Sequence, residues 1–300
     1  MNATDPIMYI KSQERHITSN TASLGAILIA AGKLSASDAD RIMELQRREG
    51  WRFGEAALRL SLISDRDLVQ ALHKQYDLPV LQAGNGKNNN FSDELVAAYQ
   101  PYHRRTEELR ALRTQLMVRW LKPPAETQQV LAVVSPGSGE GRSYVAANLA
   151  VLFSQLGGRT LLIDADLRNP RQHLIFDIPD RIGLSTVLSG RAEPDVAVAV
   201  PGFRNLALLP AGATPPNPLE LLSRPLLPSL LKEYMADFDV ILVDTPPALP
   251  YSDAQTISFH AGSAIVLARQ NHTRIDDTGK IIRTLGDGGT KVIGTVMNSF

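Results

Sequence analysis

Residues 130–144 read VLAVVSPGSGEGRSY, an apolar run followed by a loop that contains three glycines. The first part has the Val/Leu-rich composition, without polar alternation, of a strand that is covered on both faces. Gly137, Gly139 and Gly141 allow the loop to direct backbone N–H groups toward an anion, and a helix that follows adds the positive end of its dipole. The stretch therefore predicts a phosphate-binding loop. A glycine-rich turn without a ligand is the alternative that this stretch alone leaves open.

The loop departs from the usual G-x-x-x-x-G-K-[ST] pattern at two positions. Pro136 stands in place of the first glycine, and Arg142 stands in place of the phosphate-binding lysine. A guanidinium keeps the positive charge but is planar and forked, so we expect nucleotide binding to survive and phosphoryl transfer to slow. The expected nucleotide-binding residues are Gly137, Gly139, Glu140, Gly141, Arg142, Ser143 and Tyr144.

Further apolar runs alternate with helical stretches, one of which covers 217–236. These runs lie at 160–166, 206–212, 239–244, 263–268 and 291–298. The alternation predicts an α/β fold with a doubly wound, mostly parallel sheet of the P-loop NTPase type. Ligands of such sheets bind at the carboxyl ends of the strands, where the glycine loop and several acids fall.

Acidic residues end two of the later strands. Asp164 and Asp166 lie in LLIDADLRNP at 161–170, and Asp244 lies in DVILVDTPP at 239–247. Carboxylates suit Mg²⁺ beside a triphosphate, so Ser143, Asp164 and Asp244 are the expected metal ligands. Asp166 can accept a hydroxyl proton and is, with Arg142, an expected catalytic residue. Incidental capping is the alternative for each acid, but three motifs in the expected order argue against it.

The composition limits the class of protein. A chain of 300 residues suits one large and one small domain, and its lack of cysteine excludes disulfides and thiolate metal sites. A formal net charge of zero gives no electrostatic basis for binding nucleic acid. There is no signal-peptide core, and no apolar run approaches the roughly 20 residues that span a bilayer. We expect a cytoplasmic protein with no nucleic-acid partner and no membrane span of its own.

The N-terminal part contains a repeat with a period of 29 residues. SLGAILIAAGKLSASDADRIMELQ at 23–46 aligns without gaps with RFGEAALRLSLISDRDLVQALHKQ at 52–75. Each copy is typical of a short helix, a turn and a longer helix that opens on a capping serine, Ser35 or Ser64. A Gly/Asn-rich stretch at 84–92 marks the expected linker. The predicted boundaries are a flexible tail at 1–22, a small, mainly helical duplicated module at 23–80, a linker at 81–100 and a P-loop domain at 101–300.

A charged stretch precedes the first strand. EELRALRTQL at 107–116 places Glu107, Arg110 and Arg113 on one helix face. On spacing alone, the favoured interpretation is a solvated charged stripe.

These motifs together resemble the bacterial tyrosine kinase (BY-kinase) family over about 93–300, and most closely its EpsG type. LPAGATPPNPLELL at 209–222, SDAQ at 252–255 and VIGTVMNSF at 292–300 add to the resemblance. It implies binding of ATP and Mg²⁺, tyrosine autophosphorylation and control of exopolysaccharide chain length and export. It also implies a membrane chain-length determinant (polysaccharide co-polymerase) as the partner that recruits the protein to the inner membrane. Ring-like self-association through Glu107, Arg110 and Arg113 is implied too, and replaces the interpretation as a solvated stripe.

The family usually carries a C-terminal tyrosine cluster that is phosphorylated in trans, whereas the last tyrosine here is Tyr251. We therefore expect another tyrosine or another protein to accept phosphate. A nucleotide-binding pseudokinase whose output is assembly is the second hypothesis. A MinD/ParA-like positioning ATPase is the least favoured, because such proteins usually have a second lysine where Gly137 stands.

The N-terminal repeat resembles the MshE N-terminal (MshEN) module of secretion and pilus ATPases, which implies cyclic di-GMP as an effector. The matching residues are Leu24, Gly25, Leu28 and Gln46 in the first copy and Arg52, Gly54, Leu68, Leu72 and Gln75 in the second. An arginine fork can bind a guanine edge or a phosphate, and leucines can cover purines. Ser23, Ala39, Ala57 and Ser61 depart from the motif, so a degenerate module that contacts a partner protein is the alternative.

Overall fold

The structure, a computed structural model, describes residues 23–75, 91–121 and 129–299. These residues belong to two compact units, a small one formed by 23–75 and a larger one formed by the others. The predicted tail at 1–22 and residues 81–90 of the predicted linker lie outside the described residues.

The small unit repeats one pattern of a short and a longer helix. In the first copy, Ser35 and Asp38 form a reciprocal capping box, with each side chain accepting the other's backbone N–H at 3.1 Å. Ser64 and Asp67 form the same pair in the second copy, at 3.1 and 3.2 Å. The expected mainly helical module is confirmed. Its helices are α1 (Leu24–Ala30), α2 (Ala36–Glu49), α3 (Phe53–Arg59) and α4 (Asp65–Gln75).

The larger unit is built on a seven-stranded sheet with the order β3-β4-β2-β5-β1-β6-β7. All neighbouring pairs are parallel except the edge pair of β3 and β4. The predicted mostly parallel α/β sheet is confirmed; the two-residue β3 was not predicted. The strands are β1 (Val130–Val134), β2 (Thr160–Asp164), β3 (Val198–Ala199), β4 (Leu206–Leu209), β5 (Val240–Asp244), β6 (Ser263–Arg269) and β7 (Lys291–Asn298).

Helices cover the sheet, and one predicted helix is two. The stretch at 217–236 is broken near Pro225, because a proline inside a helix lacks the N–H and clashes with the preceding turn. The helices are α5 (Val96–Tyr99), α6 (Arg104–Arg119), α7 (Arg142–Ser154), α8 (Gln172–Ile175), α9 (Leu184–Leu188), α10 (Pro218–Leu222), α11 (Leu226–Asp237), α12 (Asp253–Ala261) and α13 (Ile275–Asp287).

Residues 91–100, which the sequence assigns to the linker at 81–100, are part of the larger unit. Phe91 is buried, with its ring centroid 6.0 Å from that of Phe176 and 6.2 Å from that of Phe203. Leu95 and Ala97 are buried as well. Burial of this apolar surface favours packing over a solvated linker, so the predicted linker extends too far toward the C-terminus.

Candidate nucleotide-binding and catalytic site

Three adjacent strands bring the predicted motifs to one edge of the sheet. β5 lies between β2 and β1, so the acids at two strand ends stand beside the start of the glycine loop. Asp164 and Asp244 are direct partners in the parallel register, and Val133 pairs with Asp244 on the other side. The loop and the acids therefore share a single site.

The glycine loop ends directly at the N-terminus of α7, whose N-cap is Gly141. Gly139 and Gly141 have φ angles of 72° and 94°, a left-handed conformation that costs a side-chain-bearing residue free energy. The loop is also held from β5, because Ala248 N–H donates to Ser135 O at 3.0 Å and Leu249 N–H to Pro136 O at 3.1 Å. The result is a turn shaped by its backbone and placed at the positive end of a 13-residue helix.

The Arg142 guanidinium is buried and points back into the protein. Its Nε donates to Thr245 O at 2.7 Å, and its Nη1 donates to Ser135 Oγ and Gly137 O. Nη2 lies 3.9 Å from an Asp166 carboxylate oxygen. The cation thus holds the loop to the end of β5 and also places positive charge close to Asp166 and Asp244.

Asp164 and Asp244 are fully buried carboxylates with different partners. Asp164 accepts the backbone N–H groups of Arg171 at 3.0 Å and Gln172 at 2.9 Å through one oxygen, and that of Asp166 through the other. Asp244 Oδ2 accepts a hydrogen bond from Gln172 Nε2 at 2.8 Å. Asp164 therefore orders the segment after β2, whereas Asp244 keeps more of its capacity for a ligand.

Burial changes the acidity of both groups. Burial, followed by the charge of Asp244, raises the pKa of Asp164 well above its usual range. Burial also raises the pKa of Asp244 to about 6, although Arg142 and the Ser143 hydroxyl oppose the rise. Two neighbouring carboxylates in a low-dielectric site favour binding of a divalent cation, because the cation offsets the cost of ionising them.

The residues present fit the expected Mg²⁺ ion. Asp244 Oδ1 is buried and has no hydrogen-bond partner among the described residues, although carboxylates in such surroundings are normally satisfied. The same residues contain no cluster of three or more His, Cys, Asp or Glu side chains that could hold a metal. Mg²⁺ at a nucleotide site uses one or two protein ligands, with phosphates and waters completing the octahedron, and a carboxylate oxygen such as Asp244 Oδ1 is the ligand type it prefers.

The two carboxylate oxygens of Asp166 have different surroundings. One of its carboxylate oxygens accepts the backbone N–H groups of Arg168 at 3.2 Å and Asn169 at 2.9 Å, which fixes the side chain. Oδ2 has only the 3.9 Å contact with Arg142 among the described residues. An oriented carboxylate with one available oxygen is the candidate general base of this site.

A cavity of about 610 Å³ adjoins the glycine loop on the side of α7. Tyr144 lines it, and the hydroxyl of this tyrosine is buried without a partner among the described residues. Leu109, Leu112 and Val145 contribute apolar lining, and five charged residues line the cavity as well: Asp93, Glu94, Arg105, Glu108 and Arg171. A cavity that begins at a phosphate loop and offers both apolar and polar groups is a candidate site for the nucleoside part of a nucleotide.

Two residues that connect this site to its surroundings were not predicted. Gln172 donates to Asp244 and to Ser143 O, at 2.8 and 3.1 Å, and so joins two expected metal ligands. Asn148 is fully buried in α7; it accepts Ala97 N–H and donates to Glu94 O, both at 2.9 Å. A lone asparagine in the apolar run AANLAVLF is a signal that could have identified Asn148.

The predicted self-association residues lie on α6. Glu107 and Arg110 form an ion pair, and Arg110 also donates to Pro101 O. Arg113 instead donates to Leu152 O of α7 at 3.0 Å, and burial lowers the pKa of its guanidinium. Glu107 is exposed, Arg110 is partly buried, and Arg113 contributes to the packing of α6 on α7.

Some of the residues expected to bind cyclic di-GMP are buried, and others are exposed. Leu28 belongs to the core of the small unit and is 1% exposed, whereas Arg52 is exposed. A Cβ on Gly54 would lie 2.5 Å from Leu68, and one on Gly25 would lie 3.0 Å from the Phe53 ring. Both glycines thus make room for side chains of their own unit. Gln46 donates to Trp51 O, and Leu24, Leu68, Leu72 and Gln75 are partly exposed.

The fold and this site define a P-loop NTPase. A profile of the ParA family, described as NUBPL iron-transfer P-loop NTPase, matches residues 126–299, and the chain belongs to that class. The structure is also similar to MinD complexed with Mg-ADP from Pyrococcus horikoshii, with a TM-score of 0.51 and 27% identity over 57% of this chain and 70% of that one.

Further relatives identify a family within the P-loop NTPases. The chain is 32% identical to the tyrosine-protein kinase YwqD of Bacillus subtilis over 71% of this chain and 88% of the relative. It is 31% identical to the tyrosine-protein kinase wzc of Salmonella typhi over 69% of this chain but only 28% of the relative. The kinase domain of Escherichia coli ETK is similar in structure, with a TM-score of 0.67 and 28% identity over 73% of this chain and 84% of that one. The chain belongs to the bacterial tyrosine kinase family.

No helix within 23–75, 91–121 or 129–299 is both long enough and apolar enough to span a bilayer.

Proposed function

We propose that the chain is a Mg-ATP-dependent protein-tyrosine autokinase of the EpsG type. The observation that carries this proposal is the buried Asp244 carboxylate, whose oxygen without a partner lies beside Ser143 and the glycine loop. That arrangement needs a cation and provides a place for a phosphate. The named tyrosine-protein kinases among the relatives support a tyrosine hydroxyl as the acceptor.

Each residue has a role in this proposal. The loop amides and the N-terminus of α7 bind the phosphates. Arg142 adds positive charge beneath the loop, where its guanidinium is hydrogen-bonded to Thr245 O. Ser143 and Asp244 would hold Mg²⁺, with Asp164 as the supporting acid; the ion supplies neutralisation of charge on the phosphates. As the bond from the γ-phosphorus to the tyrosyl oxygen forms and its bond to ADP breaks, Asp166 takes the hydroxyl proton.

The cavity beside Tyr144 accommodates the nucleoside in this scheme. Leu109, Leu112 and Val145 offer apolar contacts to the base, and the buried Tyr144 hydroxyl gains a partner when a nucleoside polar group reaches it. Burial raises the pKa of Tyr144, so this hydroxyl stays protonated and able to donate.

The cellular role is proposed from the family. A kinase of this type controls exopolysaccharide chain length and export together with a membrane chain-length determinant, which would recruit this cytoplasmic chain to the inner membrane. A solved structure titled chimerical protein CapA2B2 is similar over 76% of this chain and 97% of that one, with a TM-score of 0.63 and 30% identity. Self-association would use the exposed Glu107 and its ion-pair partner Arg110.

Cyclic di-GMP is proposed as the effector of the small unit. Arg52 is exposed at the start of α3, where its fork can reach a phosphate or a guanine edge. Calorimetry with the full chain should give micromolar or tighter binding that Arg52→Ala weakens, and Arg41→Ala, at an exposed arginine on α2, is the matched control. If folded wild-type protein gives no heat, the module instead docks a partner protein.

The kinase proposal is tested with labelled ATP and Mg²⁺, using the purified chain alone and with its membrane partner. We expect phosphotyrosine in the wild type and at least a tenfold loss in Asp166→Asn, since general-base catalysis contributes roughly 10²–10⁴-fold. Asp287→Asn, at the exposed end of α13, is the matched control. Absence of phosphotyrosine from the wild type under both conditions would contradict the kinase proposal.

The second candidate function is a nucleotide-gated pseudokinase with assembly as its output. It is favoured by Arg142, whose guanidinium is engaged by Thr245 O and Gly137 O instead of extending toward a ligand. Arg142→Lys distinguishes the two functions. A large gain in tyrosine transfer would indicate that the native site is impaired, whereas robust transfer that stays unchanged would remove the pseudokinase.

A further inference from the structure

Glu140 carries a buried carboxylate inside the glycine loop. The residue is 2% exposed, and its two oxygens have different partners on opposite sides. Oε2 accepts the backbone N–H of Gly137 at 2.7 Å, and Oε1 accepts the hydroxyl of Thr273. Thr273 lies in the turn at 270–274, between β6 and α13. One side chain therefore joins the phosphate loop to a turn that is 133 positions away in sequence.

The network continues in both directions from this carboxylate. On the loop side, the Gly137 carbonyl accepts Arg142 Nη1, so both peptide groups of Gly137 are held. On the other side, Thr273 Oγ1 accepts the backbone N–H of Arg269 at 2.8 Å. Hydrogen bonds thus run without a break from the end of β6 through Glu140 and Gly137 to Arg142.

Two further bonds fasten the same part of the loop. Arg269 Nη1 donates to Gly139 O at 3.3 Å, and Asn298 Nδ2 donates to Glu140 O at 3.2 Å. The ends of β6 and β7 therefore contact the loop on the side away from the acids of β2 and β5. The position of the loop depends on the turn as well as on its own glycines.

A buried carboxylate is unexpected in a loop that binds anions. Burying a carboxylate costs free energy unless it is well hydrogen-bonded, and its charge opposes that of a phosphate. Glutamine could satisfy the same partners, with its oxygen accepting Gly137 N–H and its nitrogen donating to Thr273 Oγ1. This contrast separates a geometric role, which glutamine keeps, from a role of the charge, which glutamine loses.

We propose that Glu140 is a positioning residue that couples the phosphate loop to the turn at 270–274, so that nucleotide in the loop and the conformation of the turn influence each other. The inference rests on the proposed function only for the identity of the nucleotide. The coupling itself is carried by hydrogen bonds within the chain, so it can be tested without added nucleotide.

The Gly137 amide can be observed on its own. The sequence contains two Pro-Gly pairs, at 136–137 and 201–202. Labelling proline carbonyls with ¹³C and glycine nitrogens with ¹⁵N gives one NMR signal for Gly137 and one for Gly202, which serves as an internal reference. We expect Glu140→Ala to speed exchange of the Gly137 amide at least tenfold, which corresponds to loss of one hydrogen bond to a charged group.

Thr273→Val tests the coupling from the other end. It leaves Glu140 in place, yet we expect it to shift the Gly137 signal and speed its exchange, with the double variant no faster than Glu140→Ala alone. Thr114→Val removes the same kind of hydroxyl-to-carbonyl bond within a helix, at an exposed position of α6, and is the matched control that should change neither. If Thr273→Val leaves the Gly137 signal and its exchange unchanged, the coupling is overturned, whether or not the chain binds ATP.

Nucleotide binding gives the functional readout. With fluorescent ADP and Mg²⁺, we expect Glu140→Ala to weaken binding about tenfold and Glu140→Gln to restore it to within about threefold of the wild type. An effect of Glu140→Gln as large as that of Glu140→Ala would overturn the positioning role, because it would assign the effect to the charge. If the wild type binds no nucleotide, the proposed function fails, and the Gly137 signal still decides on the coupling.

Discussion

The guanidinium of Arg142 and the backbone carbonyl of Thr245 are hydrogen-bonded, with 2.7 Å between Nε and the oxygen, although 103 positions separate the two residues. This bond joins the start of α7 to the residue that follows the buried Asp244. Arg142 therefore occupies the place of the phosphate-binding lysine and also fills a structural position between β1 and β5. A forked guanidinium can contact several acceptors at once, which an ammonium on a shorter reach cannot do in the same geometry.

Arg142→Ala should lower both stability and activity. It removes the donors to Thr245 O and Gly137 O and leaves the buried acids without their nearest cation. We expect the free energy of unfolding to fall by about 2–4 kcal/mol and tyrosine transfer to fall by roughly 100-fold or more. Urea unfolding and labelled-ATP transfer measure the two effects. Arg283→Ala, at an exposed position on α13, should leave both unchanged.

Asp244→Asn should stabilise the metal-free protein at high pH. Burial raises the pKa of Asp244 from 3.8 to about 6, so the folded state binds this proton more tightly than the unfolded state. Stability is therefore lost as the pH rises between those two values, and the loss is complete above about 6. Asparagine keeps the Gln172 contact without the charge. We expect a gain of about 1–3 kcal/mol at about pH 8 and a smaller one at about pH 5.

Urea unfolding followed by Trp120 fluorescence in a Trp51→Phe background measures this difference, since Trp120 is buried in the larger unit and Trp51 belongs to the small one. Mg²⁺ should stabilise the wild type and have little effect on Asp244→Asn, because the ion offsets the ionised carboxylate. A variant that is less stable than the wild type at about pH 8 without metal would contradict the assignment of a destabilising buried charge.

Local pattern was sufficient for the phosphate loop and for most strands. Gly139 and Gly141 indicate positive φ through their residue type, and the strands lack polar alternation, so neighbours in sequence carry the information. The register that pairs Asp164 with Asp244 depends on strand order, which sequence spacing does not contain. The direction of the Arg142 side chain could not be predicted either, since its acceptor, Thr245 O, follows β5 and is 103 positions away.

The end of the predicted linker was missed for a related reason. Asparagine and glycine at 84–90 indicate a linker between domains. The aromatic partners of Phe91 lie 85 and 112 positions later, at Phe176 and Phe203, so the local sequence does not show that Phe91 is buried. Long-range packing of this kind overrides local composition. In the same way, the spacing of Glu107, Arg110 and Arg113 predicts a shared helix face, but the contact of Arg113 with Leu152 O needs the structure.

Asn148→Ala should loosen segment 94–97. The buried amide accepts Ala97 N–H and donates to Glu94 O and Tyr144 O, all at 2.9 Å, and alanine leaves these groups without their partner. We expect a loss of about 2–4 kcal/mol in unfolding free energy, together with faster hydrogen exchange at 94–97. Ser154→Ala, which removes a bond within one turn of the same helix, should cost less than about 1 kcal/mol. Equal losses in the two variants would refute the bridging role of Asn148.

Arg113→Ala and Glu107→Ala should have different effects. Arg113 holds α6 to α7 through Leu152 O, so its loss should lower the melting temperature and weaken any self-association. The Glu107 side chain is 59% exposed and its ion pair with Arg110 lies at the surface, so its loss should affect self-association alone. Sedimentation velocity and thermal unfolding separate the two effects. If Glu107→Ala assembles as the wild type does, α6 is not the contact proposed here.

Ser61→Gly should stabilise the small unit, because Ser61 occupies the position that Gly32 occupies in the first copy. Both residues have positive φ, 53° at Ser61 and 67° at Gly32, and only glycine adopts this region without strain from a Cβ. We expect a gain of about 0.5–1.5 kcal/mol for Ser61→Gly and a loss of similar size for Gly32→Ser. Because the chain has two tryptophans, Trp120→Phe leaves Trp51 to report on this unit alone. A loss of stability in Ser61→Gly would show that the serine side chain contributes more than its backbone strain costs.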